Sequence, residues 1–483
     1  MFTPVTEEER QEYDFQQILN SSKEDEGIET GRIIANYLLR VRNANSEIKS
    51  VSQEESLKSD AQKAVKLAQT AGRDHMGLSV QAIARLNDDQ RYRARVARWV
   101  MVFASHLYPL SYLIYRVPNV EDIFVRDPYT VLALSGADRQ KFTHMWDDIA
   151  KAKNVSVEEA CITFFQDLLP INGVGGDNTG LNRINPIAEA TFGSVVRIMV
   201  AIRPAASGRS PVEAAIRVHG GSKISNFQDG YVKTQAMDPA MANFLEAAIR
   251  GKANILVSGG TSTGKTTFIR VCARYFEPDC ICTVIEDNAE LHLDQLGPDK
   301  KPWTNYTASL ATVVSARGDQ DQIITMAGLV RNALRFRPDR IIVGEARGAE
   351  MAEVAKALTS GHDGSFTSIH ADSSIEALDK GAQLMGEDPR YHNVEYAKET
   401  MHRAFDLVVH LARFKGRRVI ESIAVVSRGN SQLVYSMTEA GAWITHIHHV
   451  DNIPKLKLKE ALRTYFRDGI LPVTGGGLAD GVR

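Results

Sequence analysis

The chain has 483 residues, 43% hydrophobic and 24% charged, with 57 Lys and Arg against 59 Asp and Glu. That length predicts about three domains, that composition is ordinary for a globular protein, and a formal net charge of −2 gives no electrostatic case for nucleic-acid binding. The four cysteines (Cys161, Cys272, Cys280 and Cys282) form no C-x-x-C, which excludes a tetracysteine zinc module, and their uneven placement argues against a disulfide framework and for a reducing compartment.

The N-terminal MFTPVTEEERQEYDF has neither a basic n-region nor an apolar h-region, so no signal peptide is expected. From Ile28 to Val41, Ile33, Ile34, Tyr37, Leu38 and Val41 recur near helical spacing, and Ser50 to Ala71 is charged and alanine-containing; both predict helices. The most apolar run, Trp99 to Tyr115, is shorter than the ~20 residues that span a bilayer and is interrupted by His106 and Pro109, so it reads as buried core. Arg91, Arg93, Arg95 and Arg98 before it read as a solvated helix face rather than a membrane contact. Residues 1–117 form a helical N-terminal extension without evident chemistry.

Beyond Pro118, strands are predicted at 120–125 and 130–134, helices at 137–152 and 156–169, a Gly- and Asn-rich loop at 169–185, and strands at 195–202 and 214–218. These define an α+β domain, 118–218. His219-Gly220-Gly221-Ser222 open a linker, 219–237. Asp238 is suited to cap the next helix, Pro239 to its first position and Gly251 to its end. Across 238–430, strands at 254–258, 281–286, 340–344, 365–369, 406–411 and 419–426 alternate with helices at 265–276, 322–335, 348–360, 374–386 and 395–404. That rhythm predicts an α/β, doubly wound, mainly parallel sheet. A C-terminal extension, 431–483, carries strand-like 432–436 and 443–448, a helix near 457–467 and a Gly-rich end. His446, His448 and His449 within it read as a solvated strand end.

Between a predicted strand and a predicted helix lies Gly259-Gly260-Thr261-Ser262-Thr263-Gly264-Lys265-Thr266, followed by Thr267. It fits G-x-x-x-x-G-K-[ST], a phosphate-binding loop: glycines let successive N–H groups curl around phosphate oxygens, and the helix N-terminus adds partial positive charge. Lys265 is placed for the β- and γ-phosphates and Thr266 for Mg²⁺. Three further stretches should meet it, because ligands of open α/β sheets sit beyond the carboxyl ends of strands. Thr283 to Asp287 ends in Glu286 and Asp287, suited to water or Mg²⁺. Arg340 to Glu345 is an apolar strand ending in an acid that would hold a Mg²⁺-bound water. Ser360 to Asp372 places His370 at another strand end, suited to sense the γ-phosphate region.

These residues resemble the hexameric secretion ATPases of type II and type IV secretion and pilus systems. GGTSTGKTT resembles that family's Walker A, IEDNAEL its Asp box, RFRPDRIIVGEAR its Walker B region and TSGHDGSFTSIHAD its His box. Asp406 to Arg413 with Gly416, Arg417 and Arg418 also resembles it, so the resemblance covers about 118–430. It implies a P-loop NTPase domain of RecA-like type with a smaller α+β N-terminal domain. It also implies ATP and Mg²⁺ as ligands, with Thr266 and Glu345 on the metal, Glu286 activating the attacking water and His370 coupling phosphate state to movement. Two N-terminal-domain arginines reach the nucleotide in the family; Gly193 to Arg197 and Ala214 to Arg217 match those places, and Arg331 and Arg335 are weaker candidates. Ser262 stands where many members carry Gly, Asn288 replaces a common Pro, and the tetracysteine zinc element of type II and pilus-extension members is missing. The implied protein is a homo-hexameric, cytoplasmic ATPase, peripheral on the inner membrane, that works with inner-membrane components of a type IV secretion or conjugation machine, or of a Tad/Flp pilus. No sequence-specific nucleic-acid binding is expected. A nucleic-acid motor and a non-hydrolysing nucleotide-binding subunit remain alternatives.

Overall fold

Two units divide the chain, residues 1–220 and 221–483. A computed structural model describes residues 11–14, 28–44, 52–105, 107–117, 120–135, 138–169, 181–192, 196–218, 224–287, 290–297, 299–311 and 324–475. Asn288, Gly193 to Val195 and the start of the expected linker, 219–223, lie outside the described residues.

The first unit opens with β1 (Gln11–Asp14) and helices α1 (Ile28–Ala44), α2 (Ser52–Met76), α3 (Val80–Asp88), α4 (Gln90–Ala104) and α5 (Leu110–Arg116). Ser79 caps α3 by accepting from the Ala82 N–H, and Asp89 caps α4 by accepting from Arg91 and Tyr92. Strands β2 (Asp122–Asp127), β3 (Thr130–Ser135) and β4 (Asp138–Thr143) follow, then α6 (Asp147–Lys153), α7 (Val157–Leu168), β5 (Ile187–Phe192), β6 (Val196–Ile202) and β7 (Val212–Val218). The sheet order is β1-β4-β3-β2-β7-β6-β5, antiparallel apart from β1 on β4.

The run from Trp99 to Tyr115 supplies buried residues such as Val100, Leu110 and Leu113. They share one hydrophobic cluster with Ile123, Val131, Trp146, Ile198 and Ile216 of the sheet and its helices. The described helices before residue 118 are therefore part of the sheet domain's core and not an appendage to it. Arg91 and Arg98 are exposed, as a solvated face requires, but Arg93 donates to the Leu86 and Asn87 carbonyls at 2.8 and 2.6 Å, closing the C-terminus of α3. The helix expected at 137–152 begins only at Asp147. Residues 138–143 instead pair with β3 as β4, because the hairpin supplies their backbone partners.

In the second unit the expected linker becomes packed structure. Phe227 and Tyr231 are buried, and Phe227 stacks on Tyr275 at 4.7 Å. Helix α8 (Pro239–Arg250) is capped by Asp238, which accepts from the Ala240 N–H. Then come β8 (Ile255–Gly259), α9 (Lys265–Cys272), β9 (Ile281–Glu286), β10 (Tyr306–Ala311), α10 (Met326–Ala333), β11 (Arg340–Val343), α11 (Glu350–Leu358), β12 (Phe366–Ile369), α12 (Glu376–Met385), α13 (Val394–Ala404), β13 (Leu407–Phe414), β14 (Arg417–Ser427), β15 (Asn430–Met437), β16 (Trp443–Thr445) and α14 (Leu456–Tyr465). The sheet order is β10-β9-β11-β12-β8-β13-β14-β15-β16, parallel from β10 to β13 and antiparallel beyond. This is the doubly wound, mainly parallel architecture that the alternating pattern predicts. β15 and β16 complete the same sheet, so residues beyond 430 belong to this unit.

The central strands β8, β11 and β12 are buried on both faces, as parallel strands covered by helices must be. Alternate residues feed two cores: Ile255, Val257 and Ile342 with Phe268 of α9 on one face, and Leu256, Ile341 and Val343 with Met351 of α11 on the other. Asn254 ties three strand starts together. Its amide donates to the Ala404 carbonyl at 2.9 Å and accepts from the Gly364 and Ser365 N–H groups at 2.8 and 3.1 Å.

Candidate functional site

Strand register brings the predicted residues to one edge of the sheet. Ser258 of β8 lies opposite Ile369 of β12. Val343 of β11 lies opposite Thr367 of β12 on one side and Ile285 of β9 on the other. The strands thus end together, and the residues at or just past their ends (Gly259 to Lys265, His370, Gly344-Glu345 and Glu286) are neighbours. β12 lies between the glycine-loop strand and the acid-tipped β11, which puts His370 between their functional groups.

The loop itself turns on glycines where side chains are forbidden. Gly259 has φ 148°, and a Cβ there would come 2.3 Å from the Leu411 carbonyl oxygen; Gly264, with φ 98°, delivers the chain into α9. Thr263 Oγ1 donates to the Gly260 carbonyl at 2.9 Å. The buried Lys265 donates through Nζ to the Gly259 and Gly260 carbonyls at 2.8 and 3.0 Å, and Nζ lies 3.4 Å from His370 Nδ1. Burial lowers the Lys265 pKa, and the nearby Glu345 carboxylate opposes that shift. Thr266 and Thr267 follow in the first turn of α9, both half-buried, while Thr261 is exposed at the loop tip.

His370 Nε2 lies 2.5 Å from Glu345 Oε1. Oε1 has no directed hydrogen bond there, so the contact is a close polar approach. Burial lowers the His370 pKa, and the Lys265 ammonium lowers it further. The other carboxylate oxygen, Oε2, accepts from Arg347 Nε and Nη2 at 2.9 and 2.5 Å. Arg347 Nη1 also lies 3.6 Å from Asp287 Oδ2, so one guanidinium ties the acids of two strand ends.

Glu286 is buried, 6% exposed, against Gly344, where a Cβ would come 2.9 Å from Glu286 Cγ. Its carboxylate accepts from the Leu291 N–H at 3.0 Å and the Glu290 N–H at 3.2 Å. Arg270 of α9 holds the same loop from outside, donating to the Leu291 carbonyl at 2.7 Å. Burial outweighs the two N–H donors and pushes the Glu286 carboxyl up from 4.5 to about 7. A carboxyl titrating there can take a proton near neutral pH.

Arg197 and Arg217 belong to the first unit, where they are directly opposed on β6 and β7. Arg197 Nε lies 2.5 Å from Glu189 Oε1, and Arg217 Nε lies 3.2 Å from Asp122 Oδ1. Both side chains remain partly exposed. Arg331 pairs at 3.3 Å with the buried Glu353, which Arg390 also holds at 2.6 Å. His446 Nε2 sits 2.7 Å from Ser436 Oγ, and among the described residues no group of three potential metal ligands forms.

Arg347, Arg270 and His410 were not singled out by the sequence. Arg347 lies two residues past Glu345, at the end of the RFRPDRIIVGEAR stretch, where its charge beside a strand-end acid is the signal. His410 of β13 is buried, with Nδ1 2.9 Å from Ser258 Oγ, directly beneath the glycine loop, and burial pulls its pKa down to about 4. It lies within the Asp406 to Arg413 stretch that resembles the family, but that resemblance gives it no role of its own.

Residues 187–464 match the family model described as type II/IV secretion system protein. Over 226 residues the chain is 33% identical to the conjugal transfer protein TrbB of Rhizobium radiobacter, covering 46% of this chain and 62% of that protein. Over 189 residues it is 31% identical to the type IV secretion system protein PtlH of Bordetella pertussis, covering 38% of this chain and 53% of that protein. The chain therefore spans less than two thirds of the length of either relative. Among solved structures, the VirB11 ATPase of the Brucella suis type IV secretion system is similar at 21% identity and a TM-score of 0.34, covering 66% of this chain and 93% of that one.

Proposed function

The chain belongs to the type II/IV secretion system protein family, and from that premise we propose that it is an ATP-hydrolysing motor of a type IV secretion or conjugation machine. The observation that carries the proposal is the convergence of Lys265, His370 and Glu345 at adjacent strand ends, beside a buried Glu286 whose carboxyl titrates near 7. The conjugal transfer and type IV secretion relatives favour that branch over pilus assembly.

In this reading Lys265 and the N–H groups of the loop from Gly260 to Thr267 hold the β- and γ-phosphates. Glu286 takes a proton from water as its oxygen bonds to the γ-phosphorus and the bond to the β-phosphate oxygen breaks. His370, touching both Lys265 and Glu345, registers whether a phosphate lies between them. Arg197 and Arg217 stabilise the charge developing on the transferred phosphoryl group, a role worth roughly 10³–10⁵ in rate where arginines play it. The oxygen donors Thr266 and Glu345 suit a hard cation. Mg²⁺ held by them would neutralise charge on the β- and γ-phosphates.

The working form is a homo-hexamer on the cytoplasmic face of the inner membrane, acting on membrane components of the machine. Among the described residues no helix is long and apolar enough to cross a membrane. Phosphate release by purified wild type, Lys265→Ala and Glu286→Gln tests the reading. Equal rates from all three would overturn the active-site assignment.

A further inference from the structure

The glycine loop contains one strained residue that is not glycine. Ser262 has φ 57°, the left-handed region that a Cβ disfavours. Such a conformation persists only where its surroundings over-determine it. Two side chains converge on the peptide that follows it. Arg418 Nε donates to the Ser262 carbonyl at 2.9 Å, and Arg413 Nη2 donates to the same oxygen at 3.2 Å. The two arginines are directly opposed on β13 and β14. Two cations thus stand side by side on the hairpin and turn to one carbonyl oxygen. Arg418 also reaches the far end of the loop, where a Cβ on Gly264 would come 3.5 Å from its Cδ. The hairpin that carries both arginines is fixed to the base of the loop, through His410 on Ser258 and the Leu411 carbonyl against Gly259.

We propose that Arg413 and Arg418 are positioning residues for nucleotide binding: they grip the Ser262 carbonyl from outside, hold that strained peptide in its left-handed conformation, and so keep the loop's N–H groups turned towards the phosphates. A carbonyl turned inward would face the phosphate oxygens with a like partial charge. Two charge-assisted donors on one oxygen prevent that turn. The guanidiniums also add positive potential at the loop, which an anionic ligand offsets. The partner class is the phosphate chain of a nucleotide. The proposal rests on the nucleotide-binding reading above and adds two residues that act through Ser262 without touching the phosphates.

The test is a cycle on the full chain, with a fluorescent ADP analogue as probe. The Kd is measured for wild type, Arg413→Ala/Arg418→Ala, Ser262→Gly, and all three changes together. Glycine adopts the left-handed conformation without penalty. Removing the arginines should therefore cost roughly tenfold in affinity with Ser262 present and under about threefold in the Ser262→Gly background. An unchanged Kd in the double variant, or the same loss in both backgrounds, overturns the proposal. Amide exchange over residues 259–268 without nucleotide is the second readout. It should quicken in Arg413→Ala/Arg418→Ala and stay near wild type in Arg413→Lys/Arg418→Lys, and unchanged exchange in the alanine variant also overturns it. If the alanine variant does not fold, Arg413→Gln/Arg418→Gln takes its place in both measurements. A wild type that binds no ADP refutes the nucleotide reading, while the exchange measurement still decides whether the arginines hold the loop.

Discussion

Replacing Glu286 with Gln should slow turnover sharply and stabilise the second unit at the same time, with a gain that grows with pH. Burial raises the Glu286 carboxyl from 4.5 to about 7 in the folded chain, and the N–H groups of Leu291 and Glu290 only partly oppose this. Between those pH values the folded protein keeps a proton that the unfolded chain has lost. The sign follows: the penalty on folding is absent below 4.5, builds as pH rises through the window, and is complete above about 7. At 1.36 kcal/mol per tenfold change in proton affinity, the full penalty is about 3 kcal/mol. Gln removes it and its carbonyl oxygen can still accept the Leu291 and Glu290 N–H groups that converge on Oε1, but its NH₂, standing in for Oε2, cannot accept the longer Leu291 contact at 3.3 Å, which returns about 1 kcal/mol. The expected net gain is about 2 kcal/mol near pH 8, turning to a loss of about 1 kcal/mol near pH 4.5.

Urea unfolding across that pH range measures this. Two units need not unfold together, so the transition to follow is the one that ADP shifts. A difference between wild type and Glu286→Gln that stays flat with pH would refute the reasoning, because the carboxyl would then not be ionising inside a buried site. Turnover by the variant should fall by ~10²–10⁴, the usual worth of a general base.

Lys265→Ala should weaken ATP binding by roughly 100-fold, since it removes the one buried ammonium at the loop, and a fluorescent-nucleotide titration within threefold of wild type would count against the phosphate assignment. Arg197→Ala and Arg217→Ala should each lower kcat by about 10² or more while leaving thermal stability within about 1 kcal/mol, because their ion pairs are partly exposed; a kcat unchanged in both would remove them from the mechanism. Asn254→Ala strands the buried N–H groups of Gly364 and Ser365 and the Ala404 carbonyl, and should cost about 2–4 kcal/mol in urea unfolding with the turnover of folded molecules intact; a loss under 1 kcal/mol would mean that water replaces the amide there.

Most of the second unit was legible because its strands are buried and short, and are punctuated by Gly, Pro and acids. Ile255 to Gly259, Ile281 to Glu286 and Arg340 to Val343 all fall where apolar runs end in chemistry. The first unit was harder to read. Asp138 to Thr143 is polar, Asp-Arg-Gln-Lys-Phe-Thr, and becomes a strand only because β3 offers an edge; that is a non-local backbone requirement with no signature in those six residues. The same limit applied to the linker, where Phe227 and Tyr231 looked like loop residues until Phe268 and Tyr275 supplied ring partners at 5.8–5.9 and 4.7 Å.

The site shows the sharper form of that limit. Each motif revealed a strand end, but not which strands are neighbours. Had β8 and β11 been adjacent, Lys265 and Glu345 would face each other directly and His370 would stand to one side. With β12 inserted between them, the imidazole meets the ammonium at 3.4 Å and the carboxylate at 2.5 Å, so it links the two. Because burial and the Lys265 charge both lower the His370 pKa, the ring stays neutral near pH 7, with one nitrogen able to donate and the other to accept. A neutral ring can exchange partners by tautomerising, whereas a charged one would be held by Glu345. His370→Lys should therefore bind ATP but turn over slowly even near pH 8. Full activity in that variant would show that only a cation between Lys265 and Glu345 is required.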